Sequence, residues 1–440
     1  MSSVKRSPQA EAAGERSQVD SDMILSMLSR MTSYFNSMVD PFTNRFYYRC
    51  LPESPVLPES RRRLHGHSPI RDLGAAWDTA NLLSFWERRK AHKAMKVRLS
   101  TALVTTVNAY IGPTWLTFDD SPWCVAIPSN FLREPSTIAH SAFLVLSSLG
   151  ARRLSLTDSS SNVPIDSLVR GILYMQSDNG AFAIHFGYDD IFQGIEFYPG
   201  EAMLALLDAY ETSADTPDIL SPSARMEIVP AVQRAFLFYS DYYRHGNVDW
   251  RYTSFFGNWQ VQCFAKLFDA LRQEETKQTP EVAVISSEEK KSKHQSSVTA
   301  AAVADYVLEL CDSIVASGPW QLLREGDYTN LSTVEIACGL EALSEGCRLA
   351  LELHSESVPL NASGKVTEYW PFVESAIKFL AAVQNKVPEG GIGSGGLGYG
   401  LLVSEQRLDV TGHAVNALIK VYEVQNTLLP QASSRPVSLA

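Results

Sequence analysis

Among the six cysteines (Cys50, Cys124, Cys263, Cys311, Cys338 and Cys347) no two stand at CxxC spacing. That absence excludes a zinc ribbon and a dense disulfide framework, and leaves buried free thiols in a reducing compartment as the expectation. No apolar run approaches the ~18 residues that a membrane helix requires. The first 21 residues lack the apolar core of a signal peptide, and Glu11, Glu15 and Asp20 run against the acid-poor composition of a transit peptide. A cytoplasmic protein without a membrane partner is expected. Basic charge is also short: 38 Lys and Arg stand against 49 Asp and Glu, a net charge of −11, and the longest basic run is Arg61 to Arg63. Such a surface repels phosphate backbones, which argues against nucleic acid as a partner. The motifs HExxH, GxSxG, DDxxD and DxDD are missing. GGIGSGGLGYG, from Gly390, is glycine-rich but follows a helical stretch and lacks the Lys of a phosphate loop. Neither a metal nor a cofactor is expected.

What the chain does have is helical periodicity. Its 440 residues are 45% hydrophobic, an ordinary globular composition, and length alone suggests two or three domains. Three segments read as lying outside the fold: a polar tail over 1–21, a charged, Ser-rich insertion over about 274–297, and a tail over 431–440. In between, Ile24, Leu28, Met31, Phe35 and Met38 share one face at 3- and 4-residue spacing. Further helical stretches begin near Pro69, His92, Pro135, Pro164, Gly200, Ser223, Gly257, Val298, Leu331, Pro371 and Leu408, several with Pro or a Ser/Thr/Asp start signal. Strands are expected only as short pieces such as Arg45–Arg49 and Ala181–Phe186.

Every second helix opens with polar residues and continues with small residues and Leu. The six stretches start at Ile70, Ser136, Tyr198, Phe256, Ser332 and Asp409. Small residues allow close approach, so these six form an inner ring and the longer, more amphipathic six an outer layer. Three connections, from Asp40, Ser177 and Pro388, carry similar turns rich in glycine or Asn, each ahead of an inner helix. Twelve helices in six pairs describe an all-α (α/α)6 toroid with short β-hairpins, one domain over 22–430. An open solenoid is the alternative, but solenoids repeat more regularly.

In a closed ring the inner-helix N-termini share one mouth, where backbone N–H groups favour anionic or hydroxyl-rich ligands. The first turns supply Arg71 and Asp72, His140, Glu201, Asn258 and Trp259, Glu335, then Asp409 and His413. Each taken singly also reads as a helix-end stabiliser or a hydrogen-bonded structural group. As a pair, His140 and His413 occupy matching motif positions, and two imidazoles on opposite sides of one carbon suit proton removal and return. Glu201 and Asp409 are expected to assist them. Arg71 and Arg407 are expected to orient a substrate, with Asp72, Tyr198, Asn258, Trp259 and Glu335 binding it. Asp189 and Asp190 are adjacent and point apart in extended chain, so Glu196 with Glu201 is the better-spaced carboxylate pair for hydrolysis. Trp115, Phe118, Trp123, Trp250, Tyr252 and Phe255 offer aromatic faces to sugar rings.

The stretches YPGEAMLALLDAYE, RLDVTGHAVNAL and HSPIRDLGAAWD resemble those of (α/α)6 toroid carbohydrate enzymes, most of all the glucuronyl C5-epimerase-like and N-acylglucosamine 2-epimerase-like proteins. That resemblance implies a small-molecule or glycan substrate and a sugar or uronate epimerase or isomerase. The same fold also serves glycoside hydrolases and polysaccharide lyases, and these stay open beside it. So do a terpenoid-cyclase-like toroid and a non-catalytic scaffold. The sequence is silent on oligomeric state.

Overall fold

The computed structural model describes residues 19–52, 58, 61–65, 69–111, 116–118, 122–126, 136–156, 164–188, 190–277, 298–355, 362–385 and 391–428. Residues 1–18 of the expected tail over 1–21, the tail over 431–440 and residues 278–297 of the insertion lie outside them, as do Trp115, Asp189 and the side chain of Phe118. Val19 is instead buried, Ser21 opens the first helix, and residues 274–277 continue a helix rather than the insertion. The helices are α1 (Ser21–Ser37), α2 (Pro69–Arg88), α3 (Lys93–Ala109), α4 (Ile138–Arg153), α5 (Ile165–Tyr174), α6 (Tyr198–Asp215) and α7 (Pro222–Arg244). They continue as α8 (Thr253–Lys277), α9 (Ala300–Ala316), α10 (Gly318–Glu325), α11 (Thr333–Ser355), α12 (Ala362–Val383) and α13 (Leu408–Glu423).

Inner helices differ from outer ones in how many sides they bury. Every residue of α4 from Ile138 to Ala151 is buried, because one side meets the outer layer and the other the ring interior. The outer α5 buries only Ile165, Leu168, Val169, Gly171 and Ile172, a single stripe. The inner helices touch in the order α2, α4, α6, α8, α11, α13, and α13 packs back onto α2. The ring is closed, and the fold is an all-α (α/α)6 toroid.

A small sheet reinforces the closure. Strands β1 (Arg49–Cys50), β2 (Arg63–Leu64), β5 (Gly398–Gly400) and β6 (Val403–Arg407) lie in the order β2-β1-β6-β5, while β3 (Leu116–Phe118) and β4 (Cys124–Ala126) form a separate hairpin. Arg49 faces Arg407 and Cys50 faces Gln406, so the chain after α1 is strapped to the chain before α13. In the outer layer the same turn device appears twice. Gln176 Nε2 donates to Gly180 O (3.0 Å) and to Ala231 O on α7 (2.8 Å). Gln384 Nε2 donates to Gly395 O (3.1 Å) and to Met27 O on α1 (3.1 Å), closing the outer ring as well. Gly180 and Gly395 have φ of +95° and +82°, and a Cβ there would lie 2.2 and 2.1 Å from the carbonyl oxygens of Arg234 and Arg30.

Three local expectations need correction. The described residues hold thirteen α-helices rather than twelve, because α10 adds a short helix between α9 and α11. Helix α12 starts at Ala362, and Pro371 lies inside it, as Pro230 lies inside α7; proline marked a helix there but not its start. The strands foreseen at Arg45–Arg49 and Ala181–Phe186 are mostly single bridges, Val39 with Phe46, Gln176 with Phe182 and Thr137 with His185. All six cysteines are free and buried. Among the described residues no helix is long and apolar enough to cross a membrane.

The turn device yields a stability prediction. Gly395→Ala meets both left-handed strain and the Arg30 carbonyl, whereas Gly246→Ala (φ +71°, no atom near the added Cβ) meets the strain alone. Urea unfolding is expected to show a loss of ~1–2 kcal/mol for Gly246→Ala and a clearly larger one for Gly395→Ala. Equal losses would contradict the packing role of the turn.

Candidate active site

The N-terminal mouth of the inner ring opens into a cavity of about 320 Å³. Its wall follows one stripe on each helix: Arg71, Gly74, Trp77 and Asp78 from α2, Tyr198 and Glu201 from α6, Val334 and Cys338 from α11, and Asp409 and His413 from α13. The rings of Trp77, Phe143 and Trp259 approach one another at 5.9–6.2 Å, forming an aromatic floor, and Trp259 lies 5.6 Å from the His413 ring. Phe197, Phe255 and Tyr399 complete the rim.

At the α13–α2 seam, Asp409 is the most heavily bonded group. It accepts from Arg71 Nη1, from Arg407 Nη2 (2.7 Å) and Nε (3.2 Å), from the Tyr48 hydroxyl (2.9 Å) and from the Val410 N–H (2.9 Å). Burial alone would raise its pKa; the Arg407 hydrogen bonds and the Arg71 charge outweigh that and hold it below the usual carboxylate range. Glu201 is the opposite case. It is 5% exposed and its Oε2 has no hydrogen-bond partner. Burial pushes its pKa up to about 8, against the opposing pull of His413 and Arg71. Asp78 is likewise pushed up to about 8 by burial, although His413 and a hydrogen bond from Asn416 (2.8 Å) pull it down. Gly412 makes room for it, since a Cβ there would collide with the Asp78 carboxylate. His413 Nδ1 lies 3.1 Å from Oε2 of the fully buried Glu341. Burial disfavours the imidazolium, but Cys338 and Glu341 outweigh it and raise the His413 pKa well above its ordinary value.

Of the residues expected at the mouth, Arg71, Tyr198, Glu201, Trp259, Arg407, Asp409 and His413 line this one cavity. Four others do not. His140 is a capping residue: its Nδ1 lies 2.9 Å from Thr137 Oγ1 and accepts from the Thr137 N–H (3.1 Å), and burial lowers its pKa to about 4. Asp72 turns outward, where it binds Arg45 and accepts from the Tyr110 hydroxyl (2.6 Å). Asn258 is buried and accepts from Gln262 (2.8 Å). Glu335 is half-buried, its pKa raised to about 7 by burial, but stands off the lining. Glu196 is off it too, and Asp190 accepts from the Phe192 N–H in a turn (2.9 Å). Sequence reasoning missed Asp78, Glu341 and Tyr48. Among the described residues no cluster of three or more His, Cys, Asp or Glu side chains could hold a metal ion.

This architecture recurs in solved structures. An inactive variant of an alpha-1,6-mannanase of Salegentibacter sp. HEL1_6, in complex with alpha-1,6-mannotriose, matches with a TM-score of 0.50 at 12% identity, over 91% of this chain and 99% of that one. The chain shares its toroid with an alpha-mannanase. A GH76 alpha-mannanase of Bacteroides thetaiotaomicron matches with TM-score 0.47 at 9% identity (91% and 96% covered), and a protein of Listeria innocua with 0.42 at 12% (91% and 97%). No protein-family model matches the sequence, nor does any curated protein.

The buried Glu201 makes stability depend on pH. Its pKa is about 8 in the fold against 4.5 for the free group, so its contribution is fully present below pH 4.5 and is lost as pH rises through 8. Gln has no such loss. Glu201→Gln is expected to match the parent in thermal unfolding near pH 4.5 and to exceed it by several degrees at pH 8. A gap independent of pH would contradict the neutral carboxyl.

Proposed function

We propose that the protein is a glycoside hydrolase acting on a sugar or glycan, with Glu201 as general acid and Asp409 as its ionised counterpart. One observation carries this: two carboxyl groups from diametrically opposed inner helices, α6 and α13, face one cavity in environments that drive their pKa values apart. Glu201, protonated at neutral pH, gives its proton to the departing glycosidic oxygen. Asp409 faces the positive charge that develops at the anomeric carbon. Saturated by donors from Arg71, Arg407 and Tyr48, Asp409 suits charge stabilisation better than covalent attack or proton abstraction. Water supplies the hydroxyl at the anomeric carbon, and its released proton restores Glu201.

The alpha-mannanase fold relationship supports hydrolysis over epimerisation. The two-base epimerase expected from the sequence needs a second imidazole at the cavity, and His140 is not there. A greasy pocket without carboxylates, the mark of a terpenoid-cyclase-like toroid, does not fit a wall carrying Asp78, Glu201 and Asp409.

The test is hydrolysis of glycosides with poor and good leaving groups, alpha-1,6-mannotriose and dinitrophenyl glycosides among them. Glu201→Gln is expected to lower kcat by ~10²–10⁴ on unactivated glycosides and far less on dinitrophenyl glycosides, which leave without a proton. The parent's kcat/KM is expected to fall as pH rises through about 8, where Glu201 loses its proton. Unchanged turnover of an unactivated glycoside by Glu201→Gln would overturn the assignment.

A further inference from the structure

The cavity has two unlike sides. The seam side, α13 and α2, carries Arg71, Arg407 and Asp409 with the Tyr399 ring against Arg407; the opposite side, α6 and α8, carries Phe197 and Phe255 together with Tyr198 and Glu201. From that aromatic side the ring cluster continues outward. Tyr252 lies 6.1 Å from Phe197 and 6.2 Å from Phe255, whose own rings are 5.4 Å apart. Tyr252 is already 38% exposed, and Trp250, on the same 3-10 turn, is 67% exposed.

An indole this exposed, two residues from a ring packed on the cavity rim, is open to an occupant. Within the turn the Asp249 side chain accepts from the Arg251 N–H (3.0 Å) and pairs with the exposed Arg251 guanidinium, while Tyr252 packs against the two rim rings. Trp250 stands two residues before that packed ring, on the solvent-exposed part of the turn. The cavity itself, at about 320 Å³, stands at the small end of the ~300–1,000 Å³ typical of ligand sites, so a long ligand must leave over the rim. Flat faces of sugar rings carry C–H groups that pack on aromatic rings, and the row of rings from Phe197 and Phe255 out to Tyr252 matches a chain of them.

We infer that Trp250 and Tyr252 form an outer subsite for an oligosaccharide chain, whose end sits in the cavity and whose next units run over the α6–α8 rim. The inference rests on the carbohydrate reading above and narrows it: the ligand is an extended glycan rather than a free monosaccharide. Neither residue touches the reacting bond in this arrangement; both hold the chain.

The experiment reads binding, so that it stands apart from catalysis. The full chain carrying Glu201→Gln is titrated with an array of neutral, uronic and amino-sugar oligosaccharides graded in length, alone and with Trp250→Ala or Tyr252→Ala added. Affinity is expected to rise with chain length. Trp250→Ala is expected to remove about three- to ten-fold of it for the longer members only, leaving the shortest ligand and the unfolding temperature unmoved. Tyr252→Phe, which keeps the ring, is expected to retain the length dependence that Tyr252→Ala loses. Equal affinities for all variants at every length would overturn the subsite and leave the hydrolase reading standing. Binding of no glycan at all would overturn both.

Discussion

The contact between α13 and α2 is the constraint on which the mouth of this molecule depends. Arg71 and Asp409 are 338 positions apart in sequence, and only ring closure makes them partners. The β1–β6 pairing and the Gln384 bonds to α1 close the ring again at two other levels. Closure brings four polar groups, Arg71, Arg407, Tyr48 and Asp409, to one side of the cavity, across the ring from Glu201 on α6. An open solenoid of the same helices would hold none of these relations, since each hairpin would meet only its neighbours in sequence.

Once the ring is shut, burial and charge act in opposite directions on similar groups. Asp409 is surrounded by donors and stays ionised, whereas Glu201 has an oxygen with no partner and keeps its proton. An unpartnered buried carboxyl is unfavourable for folding, and such groups persist where the chemistry uses them. The Glu341–His413 pair sits beneath both, a buried carboxylate holding an imidazole at the floor. Asp78 and its bond from Asn416 tie the same floor to α13.

Much of this was legible in the sequence. The run of polar, then small, then Leu residues marked the six inner helices because a helix buried on both sides must be narrow where it meets its neighbours. Arg71, Glu201, Trp259, Asp409 and His413 were readable from their place near the helix starts. Asp72, Asn258 and Glu335 are each one residue from a cavity residue (Arg71, Trp259 and Val334), and successive helical side chains point ~100° apart. His140 and His413 matched by motif position but not by helix register: α4 starts at Ile138 and α13 at Leu408, which puts His140 in a first turn and His413 in a second. Asp78 and Glu341 lie one step further along the same stripes, Arg71–Gly74–Asp78 and Val334–Cys338–Glu341, deeper in the ring than the residues picked out near the helix starts. Tyr48 was out of reach, since its place depends on strand pairing across the whole chain.

Catalysis by Glu201 requires its carboxyl to be protonated at neutral pH. Infrared difference spectra between the parent and Glu201→Gln, recorded across the pH range, isolate the Glu201 carbonyl band. A protonated carboxyl is expected at pH 7, its band fading with a midpoint near 8. A midpoint near 4.5, the ordinary value, would leave Glu201 ionised at neutral pH and contradict its role as the acid.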